Sequence, residues 1–434
     1  FILALSCRSV PAQNTDSLYA IWNDPQQADT VRLSAIEDFL WAIQHSDPDS
    51  AEKCAGKMLA LSKKIGMKQK AASDRYQGSA MELLANSYYI RGDVNTALTH
   101  YNEALQLNVK RKDPDGVAGI LGNIGSMYTE LGQFDEARTF QQHSLDLFTL
   151  IGKEEGIGLG NNNLGRILLI EGDLSGATKY MLEGIRHNEL AHNESGLLPG
   201  YGNLSVIMAQ QEDFEKATEY ALRGLAIAEK LNNQQAISSF LSNLGGFTVE
   251  SGRQLEGIGY HERSLNLAQE MGNRGGEMMA LYNMGSAYGE LGQHERALEL
   301  LTRALEVAKE MKEPYREAMA LSGLAAASQG LERHDEAVRY GEMSLAMMQE
   351  IGATVDIGTV ASVLRKAYKS LGRNDRALAM YELEMQMNDS IRSEEAQRGV
   401  LRQEYSFENE KRALADSLQF AAVKAIQVKE IQKQ

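Results

Sequence analysis

Five asparagines recur at intervals of 40 residues: Asn123, Asn163, Asn203, Asn243 and Asn283. Asparagine is a poor residue for the middle of a helix. A carboxamide offers both a donor and an acceptor, so a ladder of them could hydrogen-bond the backbone of an extended peptide. The same side chains could instead tie neighbouring helices together and touch no ligand, and both readings stand at this point. Little else in the chain offers chemistry. The histidines are His45, His100, His143, His187, His192, His261, His294 and His334, and none forms an H-E-x-x-H or comparable ligand pair. His294 and His334 hold equivalent places in successive units and read as exposed turn residues. Gly156-Ile157-Gly158-Leu159-Gly160 looks superficially like a phosphate loop, but it lacks a preceding strand and a following Lys-Ser/Thr. No catalytic residue, metal or cofactor is expected.

The asparagines ride on a repeat. Gly followed five residues later by Ala occurs at Gly92/Ala97, Gly132/Ala137, Gly172/Ala177, Gly292/Ala297 and Gly372/Ala377. Glu212/Ala217, Gly252/Gly257 and Glu332/Ala337 fill the gaps in register, giving eight units with no insertion. Other columns keep the period. Gly125, Gly165, Ser205, Gly245 and Gly285 are small, as are Ala104, Ser144, Gly184, Gly224, Ser264, Ala304 and Ser344. Tyr88, Tyr128, Tyr288 and Tyr368 form an aromatic column. Small residues let helix backbones approach, at up to about 1 kcal/mol per glycine in helix propensity. A tyrosine at fixed offset fills the groove between them. The Gly column should stop the first helix, and Asp or Asn shortly after it, as at Asp135 and Asp335, should start the second.

This pattern resembles the tetratricopeptide repeat family over about residues 68–388, with Gly125, Tyr128, Gly132, Ala137 and Ser144 as one unit's signature. The period here is 40 rather than the family's usual 34, and the extra residues fall between Ser144 and Gly165. The resemblance implies an all-α solenoid, a right-handed superhelix of eight helix-turn-helix units. It also implies that the asparagine column looks onto the concave groove, with a protein or extended peptide as partner. The lysines of a peptide-carboxylate clamp are absent beside the ladder, where Gly119, Gly122 and Ser126 stand, so a C-terminal carboxylate ligand is not expected. Residues 13–67 read as an atypical capping repeat, with Asp49-Ser50-Ala51 opening a helix that ends at Ile65-Gly66.

Composition narrows the partners. The 434 residues include only 6 prolines and carry a net charge of −15. That charge argues against a nucleic-acid partner and against an anionic membrane surface as the main partner. No run of about 18 apolar residues spans a bilayer. The chain begins at Phe1 rather than Met, and Phe1-Ile2-Leu3-Ala4-Leu5 followed by Val10-Pro11-Ala12 reads as the remnant of a secretory signal, residues 1–12. Leu5-Ser6-Cys7 alternatively reads as a lipoprotein box with Cys7 lipidated. If Cys7 leaves with the signal, Cys54 is a lone thiol.

Residues 389–434 hold no Gly-Ala unit and are charged and glutamine-rich. Leu401, Tyr405, Leu414, Leu418, Ala421 and Ile431 give a broken apolar seam, expected on one long helix. That helix could pair with a second copy as a coiled coil, stand as a solvated linker, or fold back on the last repeat. Together with Met385-Gln386-Met387-Asn388-Asp389-Ser390 and Phe407–Leu418, the combination resembles the periplasmic sensor half of certain bacterial membrane signalling proteins. In that group the repeat array leads through one membrane segment, beyond this chain, to a class III adenylate/guanylate cyclase or a histidine kinase. The resemblance implies an exported chain on the periplasmic side of the inner membrane, non-enzymatic itself. A free-standing exported adaptor is the alternative. A cytoplasmic peptide-sensing regulator or hydrolase fits less well, given the signal remnant and the empty catalytic search.

Overall fold

The computed structural model describes residues 15–44, 47–66 and 68–393. The signal remnant 1–12, Cys7, His45 and the tail from 394 to 434 lie outside the described residues. Every regular element described is a helix. The chain opens with α1 (Thr15–Asn23), α2 (Asp29–Ile43) and α3 (Pro48–Ile65). Helix pairs follow: α4 (Lys70–Ile90) with α5 (Val94–Arg111), α6 (Pro114–Glu130) with α7 (Phe134–Ile151), and α8 (Glu154–Glu171) with α9 (Leu174–Leu190). Then come α10 (Glu194–Gln210) with α11 (Phe214–Lys230), α12 (Gln234–Glu250) with α13 (Gln254–Glu270), and α14 (Arg274–Glu290) with α15 (His294–Met311). The last are α16 (Pro314–Gly330) with α17 (His334–Ile351), and α18 (Thr354–Ser370) with α19 (374–393). The helices group into two units, the first running to Gly200 and the second from Tyr201 onward, with Glu171–Asp173 assigned to the second. The architecture is the expected all-helical solenoid of paired helices.

Helix length is set by a stop residue in the left-handed region. Gly92, Gly132, Gly172, Gly252, Gly292 and Gly372 all have φ between 69° and 84°. Glu212 and Glu332, which hold the same column without being glycine, adopt φ 60° and 59°. The next backbone N–H donates back across the helix end, as from Asp93 to the Tyr88 carbonyl at 2.9 Å and from Arg333 to that of Ser328 at 2.9 Å. This is the Schellman closure of a helix end. A second column, unseen in the sequence, stops the other helix of each pair. Lys112, Gly152, His192, Asn232, Gly272, Lys312 and Gly352 all have positive φ. The two columns interleave evenly, so each repeat is two helices of nearly equal length. This is where the residues beyond the family's usual period go: α7 runs past Ser144 to Ile151, and α8 begins at Glu154, well before Gly165.

Asp93 and Asp213 cap as expected, accepting from the N–H of Thr96 at 3.2 Å and Lys216 at 3.1 Å. Asp135 and Asp335 do not: α7 and α17 start one residue earlier, at Phe134 and His334. Both aspartates sit in the first turn, where a carboxylate favours the positive end of the helix dipole.

Within each pair the small column of the first helix receives a side chain from the second. A Cβ added at Gly125 would lie 2.9 Å from Gln141, one at Gly165 2.8 Å from Met181, and one at Gly285 2.7 Å from Leu301. At Gly245 the ring of His261 fills the hole where a Cβ would stand. The glycines therefore make room for a knob as well as for backbone. The tyrosine column wedges against the preceding helix: Tyr88 donates to Glu52 at 2.9 Å, and Tyr368 donates to Glu342. Cys54 is buried and free, and burial raises its thiol pKa.

Two expectations follow. Glu332→Gly relieves a left-handed L-residue at an exposed position and should stabilise the second unit by about 1 kcal/mol, read as a raised thermal midpoint. An unchanged or lowered midpoint refutes this account of the stop column. His261 is 2% exposed, and burial lowers its pKa from 6.5 to about 4. The unfolded state then binds the extra proton between those pH values, so this stability is present above pH 6.5 and is lost as pH falls towards 4. At about 1.36 kcal/mol per pH unit the loss is about 3 kcal/mol. His261→Leu, which copies Leu301 on Gly285, should remove that part of the pH dependence in urea titrations from neutral pH to about pH 4. Parallel curves for variant and parent would count against it.

Candidate functional site

In the second unit the first helix of each pair touches the first helix of the next: α12 meets α14, α14 meets α16, and α16 meets α18. These helices form one wall. Its half-exposed or exposed side chains include Ser239, Ser242 and Asn243 on α12 and Met279, Tyr282 and Asn283 on α14. None is charged at neutral pH, and burial raises the Tyr282 phenol pKa further above its ordinary value. A cleft of about 400 Å³ opens here, lined by Ser242, Asn243, Asn273, Met279 and Arg316 among others.

The asparagine column divides. Asn123 is 6% exposed and donates to Glu82 at 3.0 Å; Asn163 is 4% exposed and donates to Gln141 at 3.3 Å. Gln141 in turn donates to the Gly122 carbonyl at 2.8 Å and to Ser126 at 3.1 Å. In the first unit these asparagines thus hold helices together. Asn203, Asn243 and Asn283 are half-exposed. No hydrogen bond ties the Asn243 or Asn283 carboxamide to the described residues. The register explains the difference. Counted back from the asparagine, the place of Gln141 is taken by Ala221 for Asn243 and by His261 for Asn283. The place of Glu82 is taken by Gly202 and Ser242 respectively. Alanine and glycine offer no side-chain acceptor. Serine is much shorter than glutamate, and the His261 ring is spent on the Gly245 hole. The split was therefore readable only by pairing the asparagines with two other columns. One lies on the helix before, the other on the first helix of the preceding pair.

The remaining sequence candidates are structural. Gly156, Gly158 and Gly160 lie inside α8, where added Cβ atoms would run into Phe148, Asn188 and Leu145. The apparent phosphate loop is helix packing. His294 and His334 each open a helix; His294 packs its ring on Gly330, and His334 Nδ1 lies 3.1 Å from Gln329 Oε1. Among the described residues no group of three or more His, Cys, Asp or Glu is placed to hold a metal ion. No described helix is long and apolar enough to cross a membrane.

The chain is similar in fold to several solved proteins. The apo form of RapI superposes with a TM-score of 0.63 at 10% identity, covering 83% of this chain and 98% of that one. The apo quorum sensor NprR from B. thuringiensis gives 0.59 at 14%, covering 82% and 97%. A Rap protein complexed with Competence and Sporulation Factor gives 0.52 at 11%, covering 84% and 99%. At these identities the likeness is one of fold. A search of curated proteins returns no match. Residues 76–150 and 236–310 match the tetratricopeptide repeat family model. The same helix pair is held in register between and beyond those stretches, so the all-helical solenoid is built throughout of units like the two that match the family model.

Proposed function

We propose that this chain is a protein- or peptide-binding scaffold that serves as the extracytoplasmic sensor and dimerisation module of a membrane signalling protein. The observation that carries the binding role is the pair of half-exposed carboxamides, Asn243 and Asn283, without hydrogen-bond partners among the described residues, beside the uncharged Ser239, Ser242, Met279 and Tyr282. Such amides can take an extended backbone as donor and acceptor at once. A solenoid of similar fold is complexed with Competence and Sporulation Factor, which supports a ligand on this architecture.

The sensor role rests on sequence. The apolar stretch Phe1–Leu5 before Val10-Pro11-Ala12 supports export, and the glutamine-rich seam of 389–434 supports a transmitting helix. The effector, a class III cyclase or a histidine kinase, would lie beyond a membrane segment outside these residues. α19 turns Leu378, Tyr381 and Met385 outward, 57%, 47% and 38% exposed, at i, i+3 and i+7 on one face. That face supports pairing of the tail region with a second copy.

The groove and the tail are tested separately. Short peptides selected by phage panning on residues 13–434 should lose about tenfold in affinity for Asn243→Ala/Asn283→Ala, with the melting midpoint unchanged. Asn163→Ala should do the reverse: it breaks the tie to Gln141 and lowers stability by about 1–2 kcal/mol. Selected peptides that bind the double variant unimpaired would sink the ladder. By light scattering, residues 13–434 should be dimeric and residues 13–388 monomeric; equal association states for both would remove the tail from the dimer.

A further inference from the structure

The cleft between α12, α14 and α16 differs in charge from the chain that carries it. The chain has a net charge of −15, yet no Asp or Glu is among the residues lining the cleft, and Arg316 is the one charged side chain there. The repeat does not require that arginine, because the sister positions hold Ala236, Gly276 and Asp356. The guanidinium is held in place. Its Nε donates to Glu313, and Nη1 donates weakly to the Gly275 carbonyl at 3.4 Å. A Cβ at Gly275 would stand 3.6 Å from Nη2, so the guanidinium rests directly over that glycine. Glu313 balances one edge of the fork. The edge carrying Nη1 and Nη2 has no carboxylate partner among the described residues.

The other lining groups complement an anion. Ser242 and Asn243 contribute a hydroxyl and a carboxamide with no hydrogen bond to the described residues, and the cleft holds about 400 Å³. One guanidinium without a second cation matches a singly charged planar acceptor better than a phosphate dianion. We propose that this cleft takes a carboxylate of the ligand, with Arg316 as its charged partner and Ser242 and Asn243 as neutral donors. The assignment rests on the reading of this wall as the ligand groove and adds one anchoring chemistry to it. The sequence lacks clamp lysines beside the ladder, and Arg316 lies outside those positions, so the anchor is read from the folded cleft alone.

The test uses small probes, so that it does not depend on finding the natural ligand. The Arg316 Nε–H resonance, identified by its loss in Arg316→Gln, is followed by NMR in residues 13–434. Ac-Asp-NH₂ carries only a side-chain carboxylate, Ac-Ala-OH only a terminal one, and Ac-Asn-NH₂ none. At least one of the two carboxylates should shift the resonance saturably, while Ac-Asn-NH₂ leaves it unmoved; which one does so names the source. No shift from either at tens of millimolar overturns the proposal, as does inorganic phosphate shifting the resonance where both carboxylates fail. The panned peptides give the second readout. Neutralising their carboxylates should cost about tenfold on the wild type and little on Arg316→Gln. Peptides that need Asn243 and Asn283 but ignore that neutralisation would overturn the carboxylate anchor and leave the groove reading standing.

Discussion

Every helix from α4 to α18 depends on one left-handed residue just past its end. Each such residue closes its helix at a fixed point, so helix length is set by geometry rather than by local propensity. Fixed length keeps one helix's columns opposite its neighbour's. A solenoid has only nearest-neighbour contacts, so an error of one residue in one repeat would rotate the interfaces that follow it. The constraint is strong enough to hold Glu212 and Glu332 at positive φ, a conformation costly for an L-residue with a Cβ.

Inside that frame the packing tolerates varied chemistry. The knob that enters the small column is Gln141 in one repeat, Met181, His261 and Leu301 in others. The hole has no side chain of its own, so any knob of suitable volume satisfies it. What changes with the knob is how the polar groups of the neighbouring helix are satisfied. Gln141 reaches Gly122, Ser126 and Asn163, and the asparagine column is then consumed by the fold. Ala221 and His261 leave their asparagines on a half-wet wall. A half-exposed amide can be satisfied by water, so the fold tolerates it without a partner. The same group becomes available to a ligand for the same reason.

The sequence made the first-helix stops legible because six of eight are glycine, and the two exceptions fell in register. It hid the second-helix stops because Lys112, His192, Asn232 and Lys312 share no side-chain property; what they share is a backbone angle. The knob column was hidden likewise, by its diversity. Asp135 and Asp335 misled about capping because a carboxylate near a helix start is stabilising either as a cap or in the first turn. The asparagine ladder was visible as a column, but its division into spent and free members was not. That division is decided by whether the columns of Gln141 and Glu82 carry an acceptor that can reach the amide.

The wall and the end of the described array are physically joined. Met319, on the α16 part of the wall, packs against the same buried group as Leu383 and Met387 of α19, the group formed by Ala318, Met348 and Ile357. Interiors at native density transmit displacement, because no void takes it up. A ligand that favours one arrangement of the wall would therefore bias the seat of α19 by its differential affinity for the two arrangements, and by no more than that. α19 in turn is the helix from which the tail departs. The two places differ in charge. The half-exposed Asn243 and Asn283 are uncharged, while α19 is fixed on its inner side by Arg365 donating to Glu384 at 2.8 Å. The ion pair sits on α19 and the carboxamides on α12 and α14, so either set of groups can change without dismantling the other.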